Sequence, residues 1–424
     1  MDSLIYKAYV DILHDELRAA MGCTEPIAIA YAGALARKTL GSLPKQVELR
    51  VSGNIIKNVK SVIVPHTSGR KGLKVAVCAG VCSGNAEGEL EVLSDLSPSS
   101  IEEINAFMEY ADISITESDA KCPFDIQVRL RNGNESSYVR IVAEHTNVVR
   151  IEKNDKVLLE KPFSDEVVQP PDNRKLLSVE NIVRFADEVE IRDVEDVLSR
   201  QIRCNTEIAE AGMSGRYGAE IGKILLSSFG NSVENRAKAY AAAGSDARMN
   251  GCEKPVVINS GSGNQGITAS IPVIVYAREM KADNDLLYRA LVVSNLVTVH
   301  LKSGIGSLSA YCGATSAGAG AGAGICYLYG GRYSEIAHTI VNALAINSGM
   351  ICDGAKASCA AKIASAVEAG LIGWQMNVHD SEFIGGDGIV VKGVENTIDA
   401  VSRIARDGMR STDDEIIRLM IRNT

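Results

Sequence analysis

From Ser303 to Gly331 the chain carries no charged residue, and nine of those residues are glycine. A second uncharged stretch runs from Pro255 to Ala277. Either is long enough to cross a bilayer as a helix. Their chemistry points elsewhere: the first is rich in Gly, Ser, Ala and Thr, and the second holds Asn259, Asn264, Gln265 and Pro272. Small residues let backbones approach closely, so these segments predict tightly packed helices and loops in a protein interior, with no membrane span. The rest of the composition agrees. Hydrophobic residues make up 46% and charged residues 23%, as in soluble folded chains. A length of 424 residues suits two or three domains. The net charge of -9 argues against a nucleic-acid partner, which needs a basic footprint on phosphate.

The first residues carry Asp2, Lys7 and Asp11, so neither a basic leader nor an apolar signal core is visible and a cytoplasmic protein is expected. The 10 cysteines then read as thiols rather than a disulfide framework. Residues 3–20 and Pro26–Leu40 have helical patterning, with Pro26 suited to a first turn. Between Gln46 and Lys161 strand signals crowd together: QVELRVS, LKVAVCAG, ISITES, FDIQVRL and SYVRIVAEH. Asn132-Gly133 and Asn154-Asp155 supply hairpin turns, and Ser100–Tyr110 a helix. Lys161–Lys175, with Pro162, Pro170 and Pro171, reads as a linker, and after it strands almost vanish. The expected fold is α+β: N-terminal helices (1–44) packing on an all-helical domain (175–424), with a mixed α/β-sheet domain (45–165) inserted.

Four groups of residues could carry chemistry. Cys23 precedes a helix start, where free N–H groups and the helix dipole favour thiolate. It reads as nucleophile, metal ligand or base, or as a buried structural thiol. Cys312, Cys352 and Cys359 lie among glycines, as cluster ligands do, though their spacing matches no zinc finger and on its own reads first as that of three buried or incidental thiols. Gly261-Ser262-Gly263-Asn264-Gln265-Gly266 matches the dinucleotide fingerprint, but a helix, not a second strand, is expected after it. A carboxylate at a helix N-terminus is the preferred ligand there, beside the plain alternative of a flexible connection. Ser52, Asn54, His66, Thr67 and Ser68 sit in polar segments read as loops at strand ends, suited to hydrogen-bonding a ligand or simply to turning the chain. Cys78 and Cys82 read as a buried strand rather than a metal pair, and Cys122, Cys204, Cys252 and Cys326 as core.

GCTEPIAIAYAGA at 22–34, SGNIIKN at 52–58, INSGSGNQG at 258–266, SAYCGATSAG at 309–318 and GMICDGAKASC at 349–359 together resemble the L-cysteine desulfidase family, relatives of the iron–sulfur L-serine dehydratase alpha chain. The resemblance covers nearly the whole chain. It implies a 4Fe–4S cluster on Cys312, Cys352 and Cys359, an open iron, Cys23 as base, and no pyridoxal phosphate. Some serine dehydratases carry a cysteine at the chain end that reaches the cluster; this sequence ends IRLMIRNT, which favours the desulfidase branch. The implied activity is α,β-elimination of L-cysteine to pyruvate, ammonia and hydrogen sulfide. Ser262, Asn264 and Gln265, with Ser52, Asn54, His66, Thr67 and Ser68, would hold the small amino-acid substrate, the inserted block closing over the helical part. L-serine is the alternative substrate. A non-catalytic iron–sulfur protein, its cluster closed by a fourth ligand such as Cys326, is the alternative class. A homodimer is left open.

Overall fold

The computed structural model describes residues 1–163, 172–306 and 308–422; Pro170 and Pro171 of the expected linker lie outside them. The chain opens with α1 (Ser3–Glu16), β1 (Ala19–Met21) and α2 (Thr24–Leu40). The α+β block follows as β2 (Gln46–Val51), α3 (Gly53–Val59), α4 (Leu73–Ser83), α5 (Pro98–Tyr110), β3 (Asp112–Glu117), β4 (Asp125–Asn132), β5 (Glu135–Val142), β6 (Val148–Lys153) and β7 (Lys156–Glu160). Helices then take over: α6 (Val179–Glu188), α7 (Glu195–Ser214), α8 (Ile221–Phe229) and α9 (Val233–Met249). The short β8 (Pro255–Val257) precedes α10 (Gly263–Met280), α11 (Asn284–Ile305), α12 (Gly313–Leu328), α13 (Tyr333–Ile346), α14 (Cys359–Val378), α15 (Val394–Arg403) and α16 (Arg410–Arg422). The α+β class expected from the sequence is the class observed.

The sheet has the order β3-β2-β4-β5-β6-β7, with β2 and β3 parallel and every other pair antiparallel. Alternation sets its faces: Val47, Leu49 and Val51 of β2 are buried opposite Leu130, Val128 and Ile126 of β4. The hairpin at Asn154 and Asp155 has left-handed backbone at both residues, with φ of 50° and 62°, as a two-residue turn requires. One expected strand is a helix: LKVAVCAG forms most of α4. Its β-branched residues suggest a strand, but its small residues decide otherwise. At Gly80 a Cβ would overlap the Ala30 backbone, so α4 lies directly on α2. Tertiary packing outweighs the local preference.

The N-terminal pair also differs from expectation. Helix α1 packs against α11 of the helical part, whereas α2 packs on α4 and on strands β4 and β5 of the inserted block. Residues 1–44 are therefore shared between the two halves. Strand β1 pairs with β8, Ala19 opposite Val257, and ties the start of α2 to the segment that leads into α10.

The uncharged glycine-rich segment is the inside of the bundle. Helix α12 is buried along its length between α10, α11 and α14. A Cβ at Gly318 would overlap the Ala366 carbonyl, and a Cβ at Gly322 the Gly370 carbonyl. Residue numbers rise together along this contact, so α12 and α14 run parallel and their N-termini lie side by side. Among the described residues no helix is long and apolar enough to cross a membrane. Replacing Gly370 by Val should overpack this seam and destabilise the protein by roughly 1–3 kcal/mol. Gly349, with nothing within 4 Å of a Cβ, should accept Ala with a change of at most about 0.5 kcal/mol. Denaturant unfolding midpoints of the two variants measure the contrast.

Candidate active site

A cavity of about 390 Å³ lies between the inserted block and the helical bundle. Four helices open on it. Cys23 caps α2, Ser262 caps α10, Cys312 caps α12, and Cys359 begins α14. None of the four starts has a side-chain cap. Elsewhere Asp2, Ser97, Ser178, Ser232 and Asp283 cap helices with their side chains, while α3, α4, α7, α8 and α15 also start without one. Uncapped first turns leave backbone N–H groups and the positive ends of the dipoles directed at the cavity, an environment for anions.

The three candidate ligands share one wall of it. Parallel packing of α12 and α14 brings Cys312 beside Cys359. An antiparallel bridge between Tyr311 and Ile351 brings Cys352 across: the Cys312 N–H donates to the Met350 carbonyl at 3.0 Å and the Cys352 N–H to the Ala310 carbonyl at 2.6 Å. Cys352 is the thiol that ionises, well below the ordinary thiol range. The Cys312 thiol donates to it, and Lys57, the Gly354 N–H and Lys302 add to the effect against the cost of burial. Cys312 is raised correspondingly by that bond and by burial, and burial raises Cys359. Lys57 and Lys302 are buried and Lys362 half-buried, all three on the cavity wall. Burial pulls Lys302 down to about 8, and the two neighbouring thiols Cys352 and Cys312 partly restore it. Among the described residues no three His, Cys, Asp or Glu side chains are gathered closely enough to hold a single metal ion. A cubane makes a different demand, since its cysteines bind separate corners.

Cys23 lines the same cavity, close to Cys359. It follows Gly22, whose φ is 61° and where a Cβ would overlap the ring of Pro65. Its side chain packs with Val62 and Met249, against Ala355 and Cys359. The thiolate expected at this helix start is corrected by its surroundings. Burial raises the Cys23 thiol well above its ordinary value, and the Glu25 carboxylate raises it further, against a smaller opposing effect of Arg248. The resting group is a thiol that donates to Glu25 Oε2 at 3.2 Å. Glu25 is held in turn by Asn58, whose Nδ2 donates to Oε1 at 3.0 Å, and by the Thr24 hydroxyl.

Ser262, Asn264 and Gln265 line the cavity, as do the four cysteines. Ser52, Asn54, His66, Thr67 and Ser68 are not among its lining residues. Ser52 lies between β2 and α3, at the cap position of the helix, its hydroxyl donating to the Pro123 carbonyl at 2.6 Å. Thr67 donates to the Val64 carbonyl at 2.7 Å, and His66 lies 3.4 Å from Glu253. Asn54 is in helix α3 rather than a loop. The inserted block reaches the cavity through other residues, chiefly Lys57 and Asn58 of α3 and His145 after β5. Burial holds His145 below its ordinary value. Cys326, near the far end of α12, and Cys78 and Cys82 of α4 do not line the cavity. Sequence reading also missed Arg248, Lys302 and Glu25. Glu25 was the most accessible of them, two residues beyond a singled-out cysteine.

Grouped thiols, buried cations and a thiol–carboxylate pair thus share one cavity. The chain belongs to the serine dehydratase alpha chain family, which its residues 87–418 match. It is 53% identical to a UPF0597 protein of Desulfitobacterium hafniense over 98% of this chain and 97% of the relative. It is also 47% identical to one of Lachnoclostridium phytofermentans, over 98% and 100% of the two chains, and 42% identical to one of Treponema denticola over all of both.

The Glu25 charge favours the protonated form of Cys23, so removing it should ease ionisation. Glu25→Gln is expected to lower the pH at which Cys23 forms thiolate. The ultraviolet thiolate band, titrated as a difference between this variant and the same variant carrying Cys23→Ala, reads the direction.

Proposed function

We propose that this protein is an iron–sulfur lyase that eliminates sulfide from L-cysteine without pyridoxal phosphate, giving pyruvate and ammonia. The observation that carries the reading is the gathering, around one cavity, of the Cys312, Cys352 and Cys359 thiols and the Cys23–Glu25 pair. The donors suit a 4Fe–4S group: three thiols, Lys302 without a carboxylate partner among the described residues, Lys57 and Lys362 on Asp413 and Asp353 beside them, and two parallel helix starts. When bound there, such a cluster supplies an open iron, a Lewis acid toward the departing sulfur.

The chain's own groups account for the rest. Glu25 accepts the Cys23 proton, and the resulting thiolate removes the α-proton of the substrate. The Cα–H electron pair becomes the Cα–Cβ double bond, and the Cβ–S bond breaks with its pair going to sulfur. Aminoacrylate remains, tautomerises to the imine and hydrolyses to pyruvate and ammonia. The uncapped start of α10, with Ser262 and Asn264, faces the same space and orients the substrate. The family match favours L-serine as the competing substrate, with hydroxide leaving in place of sulfide.

Protein purified without oxygen should contain iron and acid-labile sulfide in equal amounts and release sulfide and pyruvate from L-cysteine. Pyruvate formation from L-serine at higher catalytic efficiency would assign the serine reaction instead. Cys23→Ala should keep its iron and lose turnover by about 10²–10⁴-fold, the usual contribution of a general base. Cys352→Ala should lose iron and sulfide together. Retention of both would remove Cys352 from the ligand set.

A further inference from the structure

Arg248 is the most deeply enclosed guanidinium on the cavity wall, with 3% of its surface exposed. It sits in the last turn of α9 and packs against the first turn of α10. A Cβ on Gly263 would overlap its Nε, so only glycine leaves room for it there. Its hydrogen bonds go to neutral acceptors: Nε donates to the Gly22 carbonyl at 2.9 Å and Nη1 to Asn264 Oδ1 at 3.1 Å. Among the described residues no carboxylate forms an ion pair with it. A buried cation without an anionic partner is costly unless an anion arrives to compensate it. The surrounding backbone prepares for one, because the uncapped α10 start lies against the same guanidinium.

A second orphan lies one residue beyond Asn264. Gln265 is 6% exposed, lines the cavity, and its Oε1 has no hydrogen-bond partner. Its amide lies against Gly313, next to Cys312. The wall therefore offers, in order, a free cation, a free acceptor, and the thiols. We infer that Arg248 binds the α-carboxylate of the substrate and Gln265 Oε1 its ammonium group. With both groups held there, a side chain directed at Cys312 would be the third point of contact that selects the L-enantiomer. A planar guanidinium meets a carboxylate with two parallel donors, which a lysine cannot reproduce. The assignment rests on the amino-acid lyase reading, but it concerns binding rather than elimination, and the two are separable.

L-alanine has the carboxylate and ammonium groups of the substrate and no leaving group. Ethylamine lacks the carboxylate, and propionate lacks the ammonium. Calorimetric titration of the anaerobically purified, cluster-bearing protein with each ligand tests the assignment without turnover. The wild type should bind L-alanine more tightly than either partial ligand. Arg248→Gln should weaken L-alanine and propionate by at least about tenfold and leave ethylamine unchanged. Arg248→Lys keeps the charge against loss of folding and should also weaken L-alanine relative to wild type. A merely structural role, holding the Gly22 turn, would change the three ligands alike. Equal affinity of wild type for L-alanine and ethylamine, or undiminished L-alanine binding in the folded variants, overturns the assignment. Carboxylate-dependent binding with no elimination from cysteine or serine would keep this inference and remove the lyase reading.

Discussion

The contact between α12 and α14 determines where the chemistry can be. Two helices approach this closely only where one offers hydrogen in place of a side chain and the other a backbone carbonyl, as at Gly318 with Ala366 and Gly322 with Gly370. Parallel direction then follows from the register, and with it the neighbouring positions of Cys312 and Cys359 at the two N-termini. The third thiol is added by a single backbone bridge, Tyr311 to Ile351, from the loop that follows α13. Rigid elements set two of the positions and main-chain hydrogen bonds set the other, so little of the arrangement depends on side-chain freedom.

This geometry collects positive charge inside an acidic protein. Lys57 is 2% exposed and pairs with Asp413 of α16 at 2.5 Å, which fastens the last helix to α3 of the inserted block. Lys302 and Arg248 are buried without carboxylate partners in the described residues. Buried charges of one sign destabilise a fold unless something of the opposite sign shares the space. Cys352 supplies part of it as thiolate, and an anionic group on the three thiols would supply more.

The motifs that were legible are those in which backbone and side chain speak for the same site: cysteines flanked by glycine, and the Gly-Ser-Gly-Asn-Gln run at a helix start. What was missed follows from helix boundaries. With Ser52-Gly53-Asn54 read as a loop, Ser52 and Asn54 are its obvious polar groups. As helix α3, the segment places Ser52 at the cap and carries Lys57 and Asn58 onto the cavity at the other end. Helix α9 runs on to Met249, and its last turn delivers Arg248, which no local sequence signal marks. α4 was hidden because its valines mimic a strand, while the decisive contact, Gly80 on Ala30, joins residues far apart in sequence. The α+β class, the hairpins and most bundle helices were readable because periodicity and turn chemistry are local. Which polar residue faces a cavity depends on where each helix begins and ends, and in this chain tertiary packing sets those limits.

The four uncapped helix starts give the cavity a property its lysines lack. A dipole built from peptide groups has no proton to lose. As pH rises through about 8, Lys302 begins to surrender its charge, and its share of the attraction for anions fades. The share from the ends of α2, α10, α12 and α14 persists unchanged for as long as the bundle is folded. The cavity thus has a fixed field with a titratable increment on top, and alkaline conditions would dim the pull on a carboxylate or a cluster without switching it off.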